Sequence, residues 1–299
     1  MTAAVGNTPL VRIRHVAREL PGIEIYAKLE GFNPGGSVKD RTALQIIRDA
    51  MDAGRLVRGQ TLIDSTSGNT GIAYAWIGAL LGLRVTLVMQ DSVSEPRKQL
   101  TRAYGAKQIF SDPAHGSEGA IRMCAEIAAA SPADYFYADQ YSNESNPKAH
   151  FLTTGPEIWE QTQGRITHFV AGIGTGGTIM GGGRYLRGMN PKIGIVAVEP
   201  AESKHSFDGL KHMPTSIIPA IYKEAELAEK LSIKSDDGWA ATERLGHEEG
   251  LFVGHSCGAA FAGALTIARR LHARGEAGVI VAIFPDFRER YFSAPSVIV

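Results

Sequence analysis

Apolar and β-branched residues gather into short runs along this chain, at residues 23–29, 61–63, 85–89, 108–110, 167–171, 193–198 and 279–284. Each has the length of a strand, and several are apolar throughout, as expected of strands covered on both faces. Between most of them lie segments with helical spacing, at 42–53, 70–83, 96–104, 117–130, 178–189, 236–249 and 259–273. Alternation of this kind predicts an α/β class with parallel sheets flanked by helices. The polar stretch 139–147 is the expected domain boundary. Residues 200–219 form a long irregular segment, and a loop of that length in a compact domain is more often functional than idle.

The chain has 299 residues, enough for two ordinary domains or one large one with ample core. Basic and acidic residues balance at 31 each, so no global field draws the protein to nucleic acid or an acidic membrane. Val5-Gly6-Asn7-Thr8-Pro9 interrupts any signal-like apolar run, and no segment reaches the roughly 18 uninterrupted apolar residues of a membrane helix. Cys124 and Cys257 are too few for a disulfide framework and lack metal-ligand spacing. A cytoplasmic enzyme without a bound metal is the expectation.

The chemistry concentrates in loops that precede helices. In Asn33-Pro34-Gly35-Gly36-Ser37-Val38-Lys39-Asp40-Arg41 a Pro/Gly turn feeds straight into a helix. Ser37 and Asp40 have the spacing of a capping box, which puts Lys39 in the first helical turn. There the helix dipole and Arg41 both disfavour an ammonium, so Lys39 is expected to lose its proton easily. A neutral amine is what Schiff-base chemistry with a carbonyl needs.

A second loop, Ser65-Thr66-Ser67-Gly68-Asn69-Thr70-Gly71, leaves a strand and opens a helix with outward hydroxyls and amides, a setting that suits a carboxylate. A third, Gly172-Ile173-Gly174-Thr175-Gly176-Gly177-Thr178, has the make-up of a phosphate cradle. It also satisfies G-x-G-x-x-G, with Glu199 closing the next strand, so an NAD-dependent dehydrogenase stays open as an alternative. In Gly254-His255-Ser256-Cys257-Gly258, Ser256 reads as an N-cap or as a hydroxyl aimed into a site, His255 as a packed histidine and Cys257 as buried filler.

Taken in order, these pieces resemble the fold-type II pyridoxal-phosphate enzymes, whose fold is like that of tryptophan synthase β. Within them the chain is most similar to the O-acetylserine sulfhydrylases, or cysteine synthases, of the B type. The likeness also runs through Gly6-Asn7-Thr8-Pro9-Leu10-Val11, Lys28-Leu29-Glu30, Arg102-Ala103-Tyr104-Gly105-Ala106, Asn146-Pro147, Ala149-His150 and Arg290-Tyr291. It implies a two-domain α/β fold: residues 1–34 and 146–299 hold the phosphate of pyridoxal 5'-phosphate, and residues 35–145 form a smaller mobile domain. Lys39 would carry the cofactor covalently on its amine and serve as the base. Asn69 would meet the ring hydroxyl oxygen, Gly174, Thr175, Gly176, Gly177 and Thr178 the phosphate, and Ser256 the pyridine nitrogen. Thr66, Ser67, Gly68, Thr70 and Gln140 would bind the substrate carboxylate.

The implied reaction turns O-acetyl-L-serine and a sulfur donor into L-cysteine, or an S-substituted cysteine, and acetate, in a homodimer. O-phosphoserine-using or cystathionine β-synthase-like enzymes are the neighbouring alternatives. Two departures bear on the donor. Arg288 stands where the family pattern leads one to expect glycine, and Lys211, beside His212, stands where arginine is common. If these residues border the cleft, their charge favours thiosulfate alongside sulfide.

Overall fold

The computed structural model describes residues 1–66 and 68–291, so Ser67 lies outside the described residues. Its strands are β1 (Leu10–Ile13), β2 (Ile23–Leu29), β3 (Thr61–Ser65), β4 (Arg84–Gln90), β5 (Lys107–Ser111), β6 (Tyr135–Tyr137), β7 (His168–Gly172), β8 (Gly194–Pro200), β9 (Glu229–Ile233) and β10 (Gly278–Phe284). The α-helices are α1 (Lys39–Asp52), α2 (Asn69–Leu81), α3 (Glu95–Ala103), α4 (Gly116–Ala130), α5 (Ser145–Leu152), α6 (Thr154–Gln161), α7 (Gly177–Met189), α8 (Ser235–Glu249) and α9 (His255–Ala273). The alternating pattern therefore folds as expected, into sheets with helices on their faces.

Two sheets form. The larger runs β1-β2-β10-β7-β8-β9, parallel except for β1 against β2. β10 lies inside it and is buried along its whole length. The smaller runs β5-β4-β3-β6, all parallel. Phe261 of α9 meets Phe284 of β10 edge to face in the core of the larger sheet. Leu62, Tyr74, Ile77 and Leu87 fill that of the smaller. Because α2 is buried almost all round it reads as uniformly apolar, and Gly82 in the left-handed region ends it.

Five elements stand beyond the expected set: the short strands β1 and β6, and three elements without an apolar signature. β9 is an edge strand with Glu229 and Lys230 half-buried, so it lacks an apolar run. α5 buries Ser145, Asn146 and His150, a polar face that leaves no amphipathic signal. α6, directly after it, is similarly short. The irregular character of the segment after β8 is borne out, with only a short 3₁₀ turn at Met213–Thr215. Among the described residues no helix is long and apolar enough to cross a membrane.

Candidate active site

Parallel strands deliver their following loops to one end of a sheet, and ligands gather there. Here β3 leads to Thr66, β7 to Gly174 and β10 to Asp286, and the three loops meet in one cavity of about 390 Å³. Lys39, Thr66, Gly68, Asn69, Thr70 and Gln140 line it, and so do Gly174, Thr175, Thr178, Lys211 and Ser256. Gly176 caps α7 and Gly177 begins it, so these two carry the turn without forming the wall.

Lys39 is the first residue of α1. The expected capping box does not form. The Ser37 hydroxyl accepts from the Lys39 amide at 3.2 Å, but Asp40 accepts from the Gly35 amide at 2.5 Å and from Trp76 Nε1 at 3.0 Å. Asp40 therefore fixes the glycine turn rather than its own helix start.

Lys39 loses its proton easily for a cause other than the helix dipole and Arg41. Burial is what holds the Lys39 amine below its ordinary range, while Asp286 and Glu30 pull the other way. Arg41 takes no part, because its guanidinium turns into a buried ion cluster. It donates to Glu30 at 2.7 and 2.9 Å, to Glu157 at 2.6 and 2.8 Å and to Thr8 Oγ1 at 3.2 Å. Lys28 completes the cluster, donating to Glu157 at 2.7 Å. Two cations and two carboxylates from β2, α1, α6 and the turn after β2 so anchor the start of α1.

In the second loop Thr66 Oγ1 accepts from the amides of Gly68 and Gly71 at 3.3 and 3.2 Å. Thr70 donates to Gln140 Oε1 at 2.8 Å, and Gln140 Nε2 donates to the Ser65 carbonyl at 3.2 Å. In the glycine turn a Cβ on Gly174 would stand 2.2 Å from the Gly209 carbonyl oxygen, and Gly176 has φ +86°. Neither position accepts a side chain without moving backbone. Ser256 is no N-cap: α9 starts at His255 with Gly254 as its cap, so Ser256 sits in the first turn facing the cavity.

Several residues at the site escaped the reading of the sequence. Asp286 is almost fully buried, and its Oδ1 has no hydrogen-bond partner. Its position directly off the carboxyl end of β10 was the available signal. Asn146 donates to the Gln140 carbonyl at 2.8 Å and to Thr175 Oγ1 at 2.9 Å, tying the second loop to the glycine turn. His150 lies beside it, with Nε2 3.2 Å from Thr178 Oγ1. His255 and Cys257 are as expected: the imidazole packs on Trp239, and the buried thiol donates to the Asp286 carbonyl.

The expectation for Arg288 fails. Its guanidinium donates to Glu243 at 2.5 Å and lies over the rings of Trp239 and Phe252, outside the cavity lining. Lys211 and His212 do line the cavity, with the Lys211 amine over the Tyr141 ring. Glu199 is already engaged, accepting from the Met213 amide and Ser232 and lying 3.6 Å from Lys230, which argues against a ribose-binding role.

A ligand with an aldehyde, a flat ring and one phosphate fits these residues. The amine of Lys39, which has no salt-bridge partner among the described residues, Asn69 and Ser256 line the same space as the glycine turn at the start of α7. Pyridoxal phosphate has those three parts. The family model described as pyridoxal-phosphate dependent enzyme matches residues 1–286. A cysteine synthase of Aquifex aeolicus is 50% identical over 97% of this chain and 89% of its own. Cysteine synthase B of Escherichia coli is 44% identical over 97% and 93%. The crystal structure of cysteine synthase from Entamoeba histolytica superposes with a TM-score of 0.91 at 36% identity, covering 98% of this chain and 88% of that one. An NAD-dependent dehydrogenase is thereby set aside: the chain belongs to the pyridoxal-phosphate dependent enzymes and, within them, to the cysteine synthases.

Proposed function

We propose that this chain catalyses β-replacement on O-acetyl-L-serine, releasing acetate and adding sulfide or thiosulfate to give L-cysteine or S-sulfocysteine. The observation that carries the reading is the convergence of Lys39, the second loop, the glycine turn and Ser256 on one cavity. Lys39, Asn69, Gly174, Thr175, Gly176, Gly177, Thr178 and Ser256 would hold pyridoxal phosphate, which when bound would supply an electron sink that acidifies the α-proton of the amino acid. Lys39 takes that proton. Its amine is buried enough to favour the neutral form, which is the form a general base needs. Thr66, Gly68, Thr70 and Gln140, together with Ser67, bind the substrate carboxylate and orient the α-proton towards Lys39. Ser256 would offer the ring nitrogen a hydroxyl in place of a carboxylate, which would not force protonation there and would favour loss at the β carbon over transamination.

The sulfur donor enters past Lys211 and His212, cationic or potentially cationic groups that suit the thiosulfate dianion. Residues 35–145 act as a mobile domain that closes on residues 1–34 and 146–299 and keeps water from the reacting centre. The enzyme works as a cytoplasmic homodimer. The test is acetate release from O-acetyl-L-serine by the holoenzyme, followed by product formation with sulfide, thiosulfate and larger thiols in turn. Lys39→Ala should abolish acetate release and leave the cofactor removable by dialysis. Acetate release at the wild-type rate by that variant would remove Lys39 from the role of base.

A further inference from the structure

The rim of the cavity holds a cation that stands on α3, away from the three loops. Arg97 extends its guanidinium to Asp208, Nη2 lying 3.1 Å from Oδ2, and covers the face of Tyr291 at 5.3 Å from the ring centroid. Arg97, Asp208 and Tyr291 all line the cavity. The Tyr291 ring is itself fixed, because its hydroxyl donates to Asp286 Oδ2 at 2.5 Å. The guanidinium therefore has two supports, a ring that is locked in place and a carboxylate on the irregular segment after β8. The Asp208 side chain is 50% exposed, and an ion pair so wet contributes little and exchanges readily.

The other cations of the rim are weaker candidates for holding an anion. Burial lowers the pKa of Lys211 and of His205, so both give up charge more easily than usual. A guanidinium keeps its charge and offers a planar fork of donors that matches an oxyanion in two places at once. The hydroxyls of Ser117, Ser203 and Ser216 line the same rim and add neutral donors. The exposed carboxylate of Asp208 on this rim repels an incoming dianion unless a cation between them takes up the charge.

We propose that Arg97 is the anion-receiving residue of the entrance, held by Asp208 until a sulfur oxyanion of the thiosulfate type replaces that carboxylate as its partner. The inference deepens the proposed function and rests on its reading of thiosulfate as a donor. Asp208 acts as a competing internal anion, and removing it should tighten binding. Removing the guanidinium should weaken binding.

The experiment titrates the holoenzyme with thiosulfate and follows cofactor and tryptophan fluorescence, in the wild type, Arg97→Gln and Asp208→Asn. Loss of one charge-assisted fork predicts a Kd raised about tenfold in Arg97→Gln. Release of the internal competitor predicts a Kd lowered roughly threefold in Asp208→Asn. Opposite signs cannot come from a damaged fold. If both variants weaken binding alike, or neither changes it, or the wild type binds no thiosulfate, the inference is overturned. If binding depends on Arg97 as described but no S-sulfocysteine forms, the inference stands and the donor reading falls. If S-sulfocysteine forms with an unchanged thiosulfate KM in Arg97→Gln, the donor reading stands and this one falls.

Discussion

Asn69 donates its side-chain amide to Asp286 Oδ2 over 2.6 Å, and the same carboxylate oxygen accepts from Tyr291. Arg290 holds the other side of Asn69, donating to its Oδ1 at 3.1 Å and to the Gly35 carbonyl in the turn before Lys39. Residues near the C-terminal end of the described chain thus hold the start of α2 and the turn that leads into α1. Asp286 also lies over Gly254, where a Cβ would stand 2.2 Å from its Oδ1. One buried carboxylate is shared by the starts of α2 and α9, and its charge acts on Lys39 at the start of α1.

That arrangement makes Asp286→Asn informative. The new amide oxygen can keep the contacts from Asn69 and Tyr291, and only the charge is lost. A negative neighbour favours the ammonium form of Lys39, so its removal should lower the pH at which Lys39 deprotonates. The pH dependence of reductive methylation at Lys39 in the apoenzyme, read by peptide mass spectrometry, measures this. A midpoint that stays in place or rises would show that Asp286 does not act on Lys39.

Gly174→Ala should damage the glycine turn. The added Cβ meets the Gly209 carbonyl oxygen at 2.2 Å, and backbone cannot step aside as a flexible side chain would. Overpacking of this kind costs about 1–3 kcal/mol, and part of it should appear as a raised Kd for pyridoxal phosphate. Gly188→Ala is the control, in the helix that this turn opens, with open space around its Cβ. It should be neutral or gain up to about 1 kcal/mol in chemical denaturation. Equal losses in the two variants would mean that the Gly209 contact does not matter.

How far the sequence speaks depends on whether a residue's function shows in its own pattern. The Lys39 turn, the second loop and the glycine turn are legible because short polar and glycine-rich segments interrupt apolar runs at the ends of strands. Asn146 and His150 are hidden because their polar groups point inward, to Gln140, Thr175 and Thr178, on a helix with no amphipathic face. Charge alone misleads in the same way. Arg41 looks like a neighbour of Lys39 along the chain, yet Glu30 and Glu157, far from it in sequence, take its guanidinium away. Arg288 looks like a cleft residue and is held by Glu243 instead.

Arg41→Ala should be strongly destabilising. Its side chain is almost wholly buried and makes five hydrogen bonds across Glu30, Glu157 and Thr8, so its loss leaves two carboxylates with Lys28 as the remaining cation of the cluster and only neutral donors on Glu30. Breaking a buried ion network from one side costs about 3–5 kcal/mol. Arg41→Lys should recover only a minor part, because an ammonium cannot serve both carboxylates in the same fork. Urea unfolding of the holoenzyme decides it, and a loss below about 1 kcal/mol in Arg41→Ala would refute the account of the cluster as a mutually dependent set.

Acid should destabilise the native protein through one buried histidine. His150 is fully buried between Thr42, Thr154 and Thr178, with ring nitrogens 3.3, 2.9 and 3.2 Å from their hydroxyls. Burial first, and then the charge of Arg41, push its pKa down to about 3. An unfolded histidine takes up its proton near pH 6.5, so between about 6.5 and 3 the unfolded chain binds a proton that the native protein refuses. Stability must therefore fall as pH drops through that window, by at most about 1.4 kcal/mol per pH unit from this residue. His150→Gln keeps hydrogen-bonding groups near the three threonines and removes the titration. The variant should be less stable than the wild type at pH 7, and the gap should narrow steadily towards pH 4.5. Glu157, lowered to about 2, also withdraws stability in acid, while Asp40 and Asp64, raised to about 6 and about 7, act in the opposite sense. These contributions are common to both proteins and cancel in the difference. Urea unfolding of the two holoenzymes at pH 7, 5.5 and 4.5 measures the gap directly. A gap that is constant or widens in acid would show that the native protein accommodates the imidazolium, and that His150 is not held neutral behind Thr178.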